Sequence, residues 1–148
     1  MKPFFELASV SNIETLIELM SELYTHESLP FDEQIARSAL QLILNNDSYG
    51  LIYLIHVNAE IVGYLVVTFG FSLEYRGRDA FLDELYIRQK YRGVGIGKQS
   101  LQFAEKICRQ QGIQAIHLEV ERENLNAQAV YQKAGFVSRD RFLLTKWL

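Results

Sequence analysis

The feature that most constrains the fold is a run of alternate glycines, Arg92-Gly93-Val94-Gly95-Ile96-Gly97, set between a strand-like stretch and a helical one. Residues 80–87 before it are rich in strand-forming side chains, and apolar residues recur after it at helical spacing until Gly112. A further strand pattern covers 115–121. Strand, glycine turn, helix and strand in this order predict a βαβ crossover, in which the two strands lie parallel in one sheet.

The residues before this unit predict two helices. Ser11 and Glu14 have the spacing of a capping box, and the apolar residues that follow at helical spacing predict a helix over 11–26. Asp32 is a good N-cap for a second helix over 32–46. The spacing of the apolar residues then changes from that of a helix to that of a strand, which separates both helices from the strands that follow.

Strand patterns fill most of the remaining chain. Two runs rich in β-branched and aromatic residues, 49–57 and 61–71, flank Asn58-Ala59-Glu60, which is the pattern of a β-hairpin. Near the other end, a last helix is predicted over 125–134 and a closing strand over 142–148. The order β-α-α-β-β-β-α-β-α-β predicts one domain of 148 residues with a mixed sheet, in the α/β or α+β class.

Composition and charge exclude several classes of protein. The chain is 49% hydrophobic and 22% charged, has no apolar run long enough for a membrane span and begins without a secretory signal pattern, so we expect a cytoplasmic protein. A net charge of −3 with scattered basic residues argues against a nucleic-acid partner. His26, His56 and His117 lack metal-ligand spacing, and Cys108 falls on a helical apolar pattern, so we expect no metal and a buried thiol.

The glycine turn has the properties of an anion site. Without Cβ atoms, its backbone can approach a ligand closely, and the free N–H groups of the following helix point at a bound anion such as a pyrophosphate. Arg92 and Lys98 can add positive charge. A P-loop would need glycine at position 92 and Ser or Thr in place of Gln99, and a dinucleotide fingerprint would need glycine in place of Lys98. A purely structural turn remains the alternative.

Two motifs together resemble a known family. The glycine run resembles the pyrophosphate-binding signature of the GNAT superfamily of acyl-CoA-dependent N-acetyltransferases. Downstream, the segment Asn124-Leu125-Asn126-Ala127-Gln128-Ala129-Val130-Tyr131-Gln132-Lys133-Ala134-Gly135-Phe136 is similar to that superfamily's second signature. The resemblance implies acetyl-CoA as co-substrate and a mostly antiparallel sheet with about four helices, in which strands 80–87 and 115–121 splay apart.

The resemblance also implies how the coenzyme is bound. The glycine run from Arg92 to Gly97, with Lys98, would hold the pyrophosphate. The backbone of Leu85, Tyr86 and Ile87 would bond the pantetheine arm in the gap between the strands, and Asn124 or Asn126 would add a further bond to that arm. Tyr131 matches the residue that protonates the departing thiolate in many family members.

The attacking amine needs a base. Holding a lysine-like amine neutral at about pH 7 costs roughly 4 to 5 kcal/mol. Asp83 and Glu84 lie on the strand beside the expected thioester, and strand alternation sends them to opposite faces unless a bulge intervenes. We therefore expect only one of the two to face the acceptor and serve as base, with Glu119 or water alone as alternatives.

The acceptor is less constrained than the donor. The loop with Tyr75-Arg76 and Arg78-Asp79 borders the acceptor site in this architecture, and Glu74, Asp79, Asp83 and Glu84 favour a small cationic amine. An N-terminal or lysine amine of a protein is the alternative acceptor, and a non-catalytic acetyl-CoA-binding module is the alternative function. The resemblance also makes a homodimer an expectation.

Overall fold

The computed structural model describes residues 1–148. Its main elements are β1 (Phe4–Leu7), α1 (Ile13–His26), α2 (Glu33–Leu44), β2 (Gly50–Val57), β3 (Glu60–Ser72), β4 (Gly77–Ile87), α3 (Ile96–Gln110), β5 (Ala115–His117) and α4 (Leu125–Lys133). The five strands form one sheet in the order β1-β2-β3-β4-β5, antiparallel except for the parallel pair β4 and β5. The predicted mixed, mostly antiparallel sheet with four helices is therefore confirmed. No helix is both long enough and apolar enough to cross a membrane.

Strand β3 is buried on both faces because each face of the sheet carries helices. Tyr64 packs with Leu16 in the core under α1 and α2, which we call the α1 face of the sheet. Leu65 and Val67 of β3 point to the opposite face and pack with Leu101 in the core under α3, which we call the α3 face of the sheet. Because the side chains of β3 alternate between the two faces, the strand contributes to both cores. This run therefore has few polar residues.

The start of α1 differs from the prediction. The Ser11 side chain does not cap the helix, because its hydroxyl forms a hydrogen bond with the Ser9 hydroxyl. Glu14 accepts two hydrogen bonds from Arg37 on α2. A short 3₁₀ turn precedes the helix, and the Asn12 side chain accepts the Ser9 backbone N–H at 2.9 Å. The predicted capping box is wrong because a partner on a neighbouring helix competes for the glutamate.

The predicted closing strand over 142–148 is also wrong. These residues form no strand, and large apolar side chains among them are exposed. Arg139 and Arg141 both bond to Glu74 in the β3–β4 loop, with Arg141 bidentate at 2.7 and 2.8 Å. These ion pairs tie the residues before the segment to that loop, and the segment itself pairs with no strand.

The end of β4 depends on a glycine opposite it. Gly63 pairs with Ile87, and a Cβ at Gly63 would overlap the backbone carbonyl of Tyr86. We expect Gly63→Ala to lower the free energy of unfolding by about 3 kcal/mol or more, because backbone atoms cannot yield as a flexible side chain would. Gly97→Ala is the control, since its Cβ would meet Ile87 Cδ1 at an ordinary 3.7 Å. Equal unfolding midpoints in urea for the two variants would contradict this prediction.

Candidate active site

A gap opens between β4 and β5. The two strands pair only from Asp79 to Phe81 with Ala115 to His117, after which β5 ends while β4 continues to Ile87. Strand β5 is therefore shorter than the predicted 115–121. The expected splay is confirmed, and the edge of β4 that includes Leu85 to Ile87 has no strand beside it on this side.

The glycine turn forms an open cradle at the C-terminal end of the gap. Gly93 and Gly95 have φ values of +76° and +91°, which only glycine adopts without strain. None of the backbone N–H groups from Gly93 to Lys98 has an acceptor in the protein, and a Cβ on Gly93 would meet nothing within 4 Å. Buried Ile96 anchors the start of α3 beneath them. Unpaired N–H groups facing free space at a helix N-terminus suit the diphosphate of a coenzyme.

Arg92 is fixed against β4 beside this cradle. Its Nε donates to the carbonyl oxygen of Ile87 at 2.6 Å, and its guanidinium lies 5.5 Å from the centre of the Tyr86 ring. Lys98 and Val94 are exposed on the rim. The strand end and the cradle are therefore joined by a charged side chain whose remaining N–H groups are free.

A β-bulge changes the direction of the two acidic residues. Leu82 pairs with Val67 and Glu84 with Val66, so Asp83 is an extra residue with no partner on β3. Glu84 consequently faces α1 instead of α3. Asp83 lies close enough to Glu84 to raise the pKa of that carboxyl electrostatically. The prediction of opposite faces made an exception for a bulge, and a bulge is present. That only one of the two carboxylates faces the acceptor stays a prediction.

Two tyrosines hold the Glu84 carboxylate. Tyr24 of α1 donates to Oε2 at 2.5 Å, and Tyr64 of β3 donates to Oε1 at 2.7 Å. Desolvation raises the pKa of Glu84, with a contribution from the charge of Asp83, while the two hydrogen bonds oppose that shift. Burial raises the pKa of both tyrosines, so they remain donors at neutral pH.

Asp83 is in a different environment. Solvent reaches it, and no protein group donates a hydrogen bond to its carboxylate. Desolvation by the surrounding protein raises its pKa. No arginine, lysine or histidine forms an ion pair with Asp83 or Glu84, in contrast to Glu74, which binds two arginines. The site therefore presents two acidic groups without a protein cation.

Helix α4 places the second signature on the α3 face. The Tyr131 ring contacts Phe136 edge-on and packs against the core under α3, and its hydroxyl has no hydrogen-bond partner. Desolvation, with a smaller effect of Glu27, raises its pKa, so the phenol stays protonated. Asn124 is the N-cap of α4 and accepts the Ala127 N–H at 3.1 Å. Asn126 lies inside the helix and is exposed.

Other candidate residues have ordinary structural contacts. Glu119 is exposed beyond the end of β5. Arg78 donates to the carbonyl oxygen of Gln111, which ties the β3–β4 loop to the end of α3. Cys108 is buried and burial raises its pKa to about 11, so it is no nucleophile at neutral pH. No cluster of three histidine, cysteine or acidic side chains that could hold a metal ion is present.

Comparison with known proteins decides the family. The model of the acetyltransferase (GNAT) family matches residues 13–136. The chain belongs to the GNAT family. A thialysine N-epsilon-acetyltransferase from Bos taurus is 27% identical over 133 residues, which cover 81% of this GNAT chain and 75% of that protein.

Solved structures share the fold. An integron cassette protein from the mobile metagenome of Cole Harbour Salt Marsh has a TM-score of 0.86 and 33% identity, covering 97% of this chain and 90% of that one. A predicted acetyltransferase from Clostridium acetobutylicum, solved with acetyl-CoA, has a TM-score of 0.83 at 18% identity, covering 98% and 96%. This GNAT chain is an acetyl-CoA-dependent N-acetyltransferase, and acetyl-CoA is its co-substrate.

Proposed function

We propose that this enzyme transfers the acetyl group of acetyl-CoA to a primary amine of a small cationic acceptor, by direct attack in a ternary complex. The observation that carries the proposal is the pair Asp83 and Glu84, which lie beside the β4–β5 gap without any protein cation. Two uncompensated carboxylates attract an ammonium group and can take its proton. The relative from Bos taurus is named for a thialysine amine, which supports an acceptor of this kind.

The surroundings of the two carboxylates assign them different roles. Glu84 is held by two phenol donors, which occupy its oxygens and oppose the rise in its pKa. Asp83 has no such donor, so both of its carboxylate oxygens are free to take a proton. We assign proton acceptance to Asp83 and electrostatic attraction of the ammonium to Glu84, in preference to Glu119 or water alone.

The remaining residues bind the coenzyme and release it. The N–H groups of the glycine turn, with Arg92 and Lys98, would hold the diphosphate. The backbone of Leu85, Tyr86 and Ile87 borders the gap in which the pantetheine arm would lie, and Asn124 and Asn126 lie at the start of α4, where they would bond the same arm. The protonated Tyr131 hydroxyl, free of other partners, would give its proton to the departing thiolate.

Asp83→Asn and Glu84→Gln test the assignment of the base. We expect Asp83→Asn to lower kcat/KM by about a hundredfold near pH 7, because the amine then arrives protonated with no acceptor for its proton. The deficit should shrink as the pH approaches the pKa of the amine, about 10. Glu84→Gln should chiefly raise KM for the acceptor, since it removes attraction but keeps the shape. Initial rates with a thiol-detecting reagent across the pH range measure both effects.

The stability of the Asp83 variant provides the control. When the pKa of a carboxyl is raised in the folded state, the protein loses stability as the pH rises through that pKa. The charge of Asp83 therefore opposes folding at neutral pH. Asp83→Asn should therefore unfold at a midpoint no lower than that of the unmodified protein. A rate defect that is constant with pH, or one accompanied by a lower midpoint, would reject Asp83 as the base.

A further inference from the structure

The α1 face of the sheet continues past the helices as an open floor. On β4, Phe81 and Asp79 lie on this face, opposite Thr68 and Gly70 of β3. Their neighbours Ala80 and Leu82 are buried in the core under α3, which confirms the direction of Phe81 and Asp79. Phe81 and Gly70 are exposed, so no helix covers this part of the face. The floor begins directly beside the bulge that carries Asp83.

A histidine and an aspartate are locked together on this floor. His117 of β5 contacts Asp79 Oδ2 through its Nε2 atom at 3.0 Å, and their side chains are only 21% and 13% exposed. Gly70 makes room for the pair, because a Cβ there would lie 2.9 Å from Asp79 Oδ1. An ionised carboxylate only accepts hydrogen bonds, so Nε2 donates, and in the neutral imidazole Nδ1 then presents a lone pair. No protein group bonds to Nδ1.

Two aromatic rings enclose the imidazole. Tyr75 meets His117 edge-on at 4.4 Å between ring centres, and Phe81 lies 5.1 Å away. Arg139 also lies beside Tyr75, but its guanidinium donates hydrogen bonds to the Tyr75 hydroxyl and to the Glu74 carboxylate. The cluster itself therefore presents aromatic rings and one acceptor nitrogen backed by the negative charge of Asp79, while Arg122, Arg139 and Arg141 line the same cavity. Such a surface suits an alkyl chain that ends in a hydrogen-bond donor.

We infer that the cluster Tyr75, Asp79, Phe81 and His117 binds the far end of the acceptor, and that the acceptor is a linear terminal diamine. This inference rests on the proposed function, which places the attacked nitrogen at Asp83. The second ammonium donates to His117 Nδ1, and the methylenes between the nitrogens lie on Phe81. None of these residues carries out the chemistry; they select and align the acceptor.

The length of the diamine follows from the sheet. His117 is in register with Phe81, two residues from Asp83. With residues rising about 3.3 Å along a strand and strands about 4.8 Å apart, the Cα atoms of His117 and Asp83 are roughly 8 Å apart. The two recognising groups are therefore separated by a distance on the scale of a short alkyl diamine. Diaminobutane and diaminopentane are diamines of this kind.

The test compares two acceptors with the same carbon chain in the whole 148-residue chain. We expect kcat/KM for diaminobutane to exceed that for butylamine, which lacks the second nitrogen, by at least about tenfold, as one hydrogen bond backed by a charge allows. In His117→Ala this ratio should fall to about two, mainly through KM for the diamine. In Asp79→Asn it should also fall, because the asparagine removes the charge behind the imidazole. His56→Gln is the matched control, since His56 is 20% exposed and bonds Glu6 at 3.1 Å on strands far from the gap.

Binding separates this inference from the proposed function. Calorimetric titration of diaminobutane and butylamine into the protein saturated with CoA needs no turnover. We expect the diamine to bind about tenfold more tightly than butylamine, and we expect His117→Ala to abolish this difference in affinity. Equal binding of the two amines, or a preference that survives His117→Ala, overturns the subsite even if acetyl transfer occurs. A preference for aminobutanoate overturns it too, because the arginines beside Glu74 would then recognise the far end. His117-dependent binding without acetyl transfer would retain the subsite and reject the proposed function.

Discussion

Replacing Gly95 by aspartate should weaken acetyl-CoA binding at least about a hundredfold, equivalent to about 2.8 kcal/mol. The residue has a φ of +91° at the N-cap of α3, in the middle of the unpaired N–H groups. An aspartate tolerates this conformation better than most residues, so the backbone should survive. Its carboxylate would occupy the N–H groups and repel the diphosphate that they would otherwise hold. Calorimetric titration with acetyl-CoA measures the loss.

Gly95→Asn separates charge from bulk in this experiment. Asparagine has nearly the same size and the same tolerance of positive φ, but it carries no charge. We expect it to weaken binding several-fold, much less than aspartate does, while both variants unfold at similar midpoints. If both variants bound acetyl-CoA as tightly as the unmodified protein, the glycine turn would have a structural role alone.

Tyr131→Phe should lower kcat by about ten- to a thousandfold and change the affinity for acetyl-CoA by no more than a few fold. The hydroxyl makes no hydrogen bond within the protein, so its removal breaks no internal contact, and the ring keeps its packing against Phe136. A catalytic defect without a change in stability is therefore the expected result. Single-turnover measurements with saturating amine would assign it to the acetyl-transfer step.

Tyr53→Phe is the matched control for Tyr131. Tyr53 is also half-buried against the core under α3, its pKa is also raised by desolvation, and its hydroxyl also lacks a partner, but it lies on β2 away from the gap. Loss of its hydroxyl should leave kcat unchanged. Equal turnover by Tyr131→Phe and Tyr53→Phe would make Tyr131 an ordinary core residue.

Local sequence patterns were sufficient for most of the fold and for the position of the glycine turn at the start of α3. The Asp32 cap is confirmed, since its carboxylate accepts the N–H groups of Gln34 and Ile35. The glycine turn was predictable because positive φ and a helix N-terminus both depend on adjacent residues. In each of these cases the interactions that fix the structure lie within one turn of the chain.

Contacts distant in sequence account for what the sequence did not show. Tyr24 and Tyr64 reach Glu84 across 60 and 20 residues, so nothing near Glu84 indicates how its carboxylate is held. The pairing of His117 with Asp79 spans 38 residues and depends on strand register, which no local sequence pattern around this histidine reveals. The strand expected over 142–148 failed for the same reason, because a strand needs a partner that its own sequence does not contain.

The bulge in β4 also determines which changes of chain length the site can tolerate. Asp83 is the one residue of this strand segment without a partner on β3, so deleting it would restore regular pairing of Leu82 and Glu84 with their present partners. Every other side chain would keep its face of the sheet. Deletion of a paired residue away from the bulge, such as Tyr86 opposite Tyr64, would instead turn the end of the strand over. The proposed base is thus an insertion in the ladder, and a one-residue deletion could remove it without disturbing the sheet that carries it.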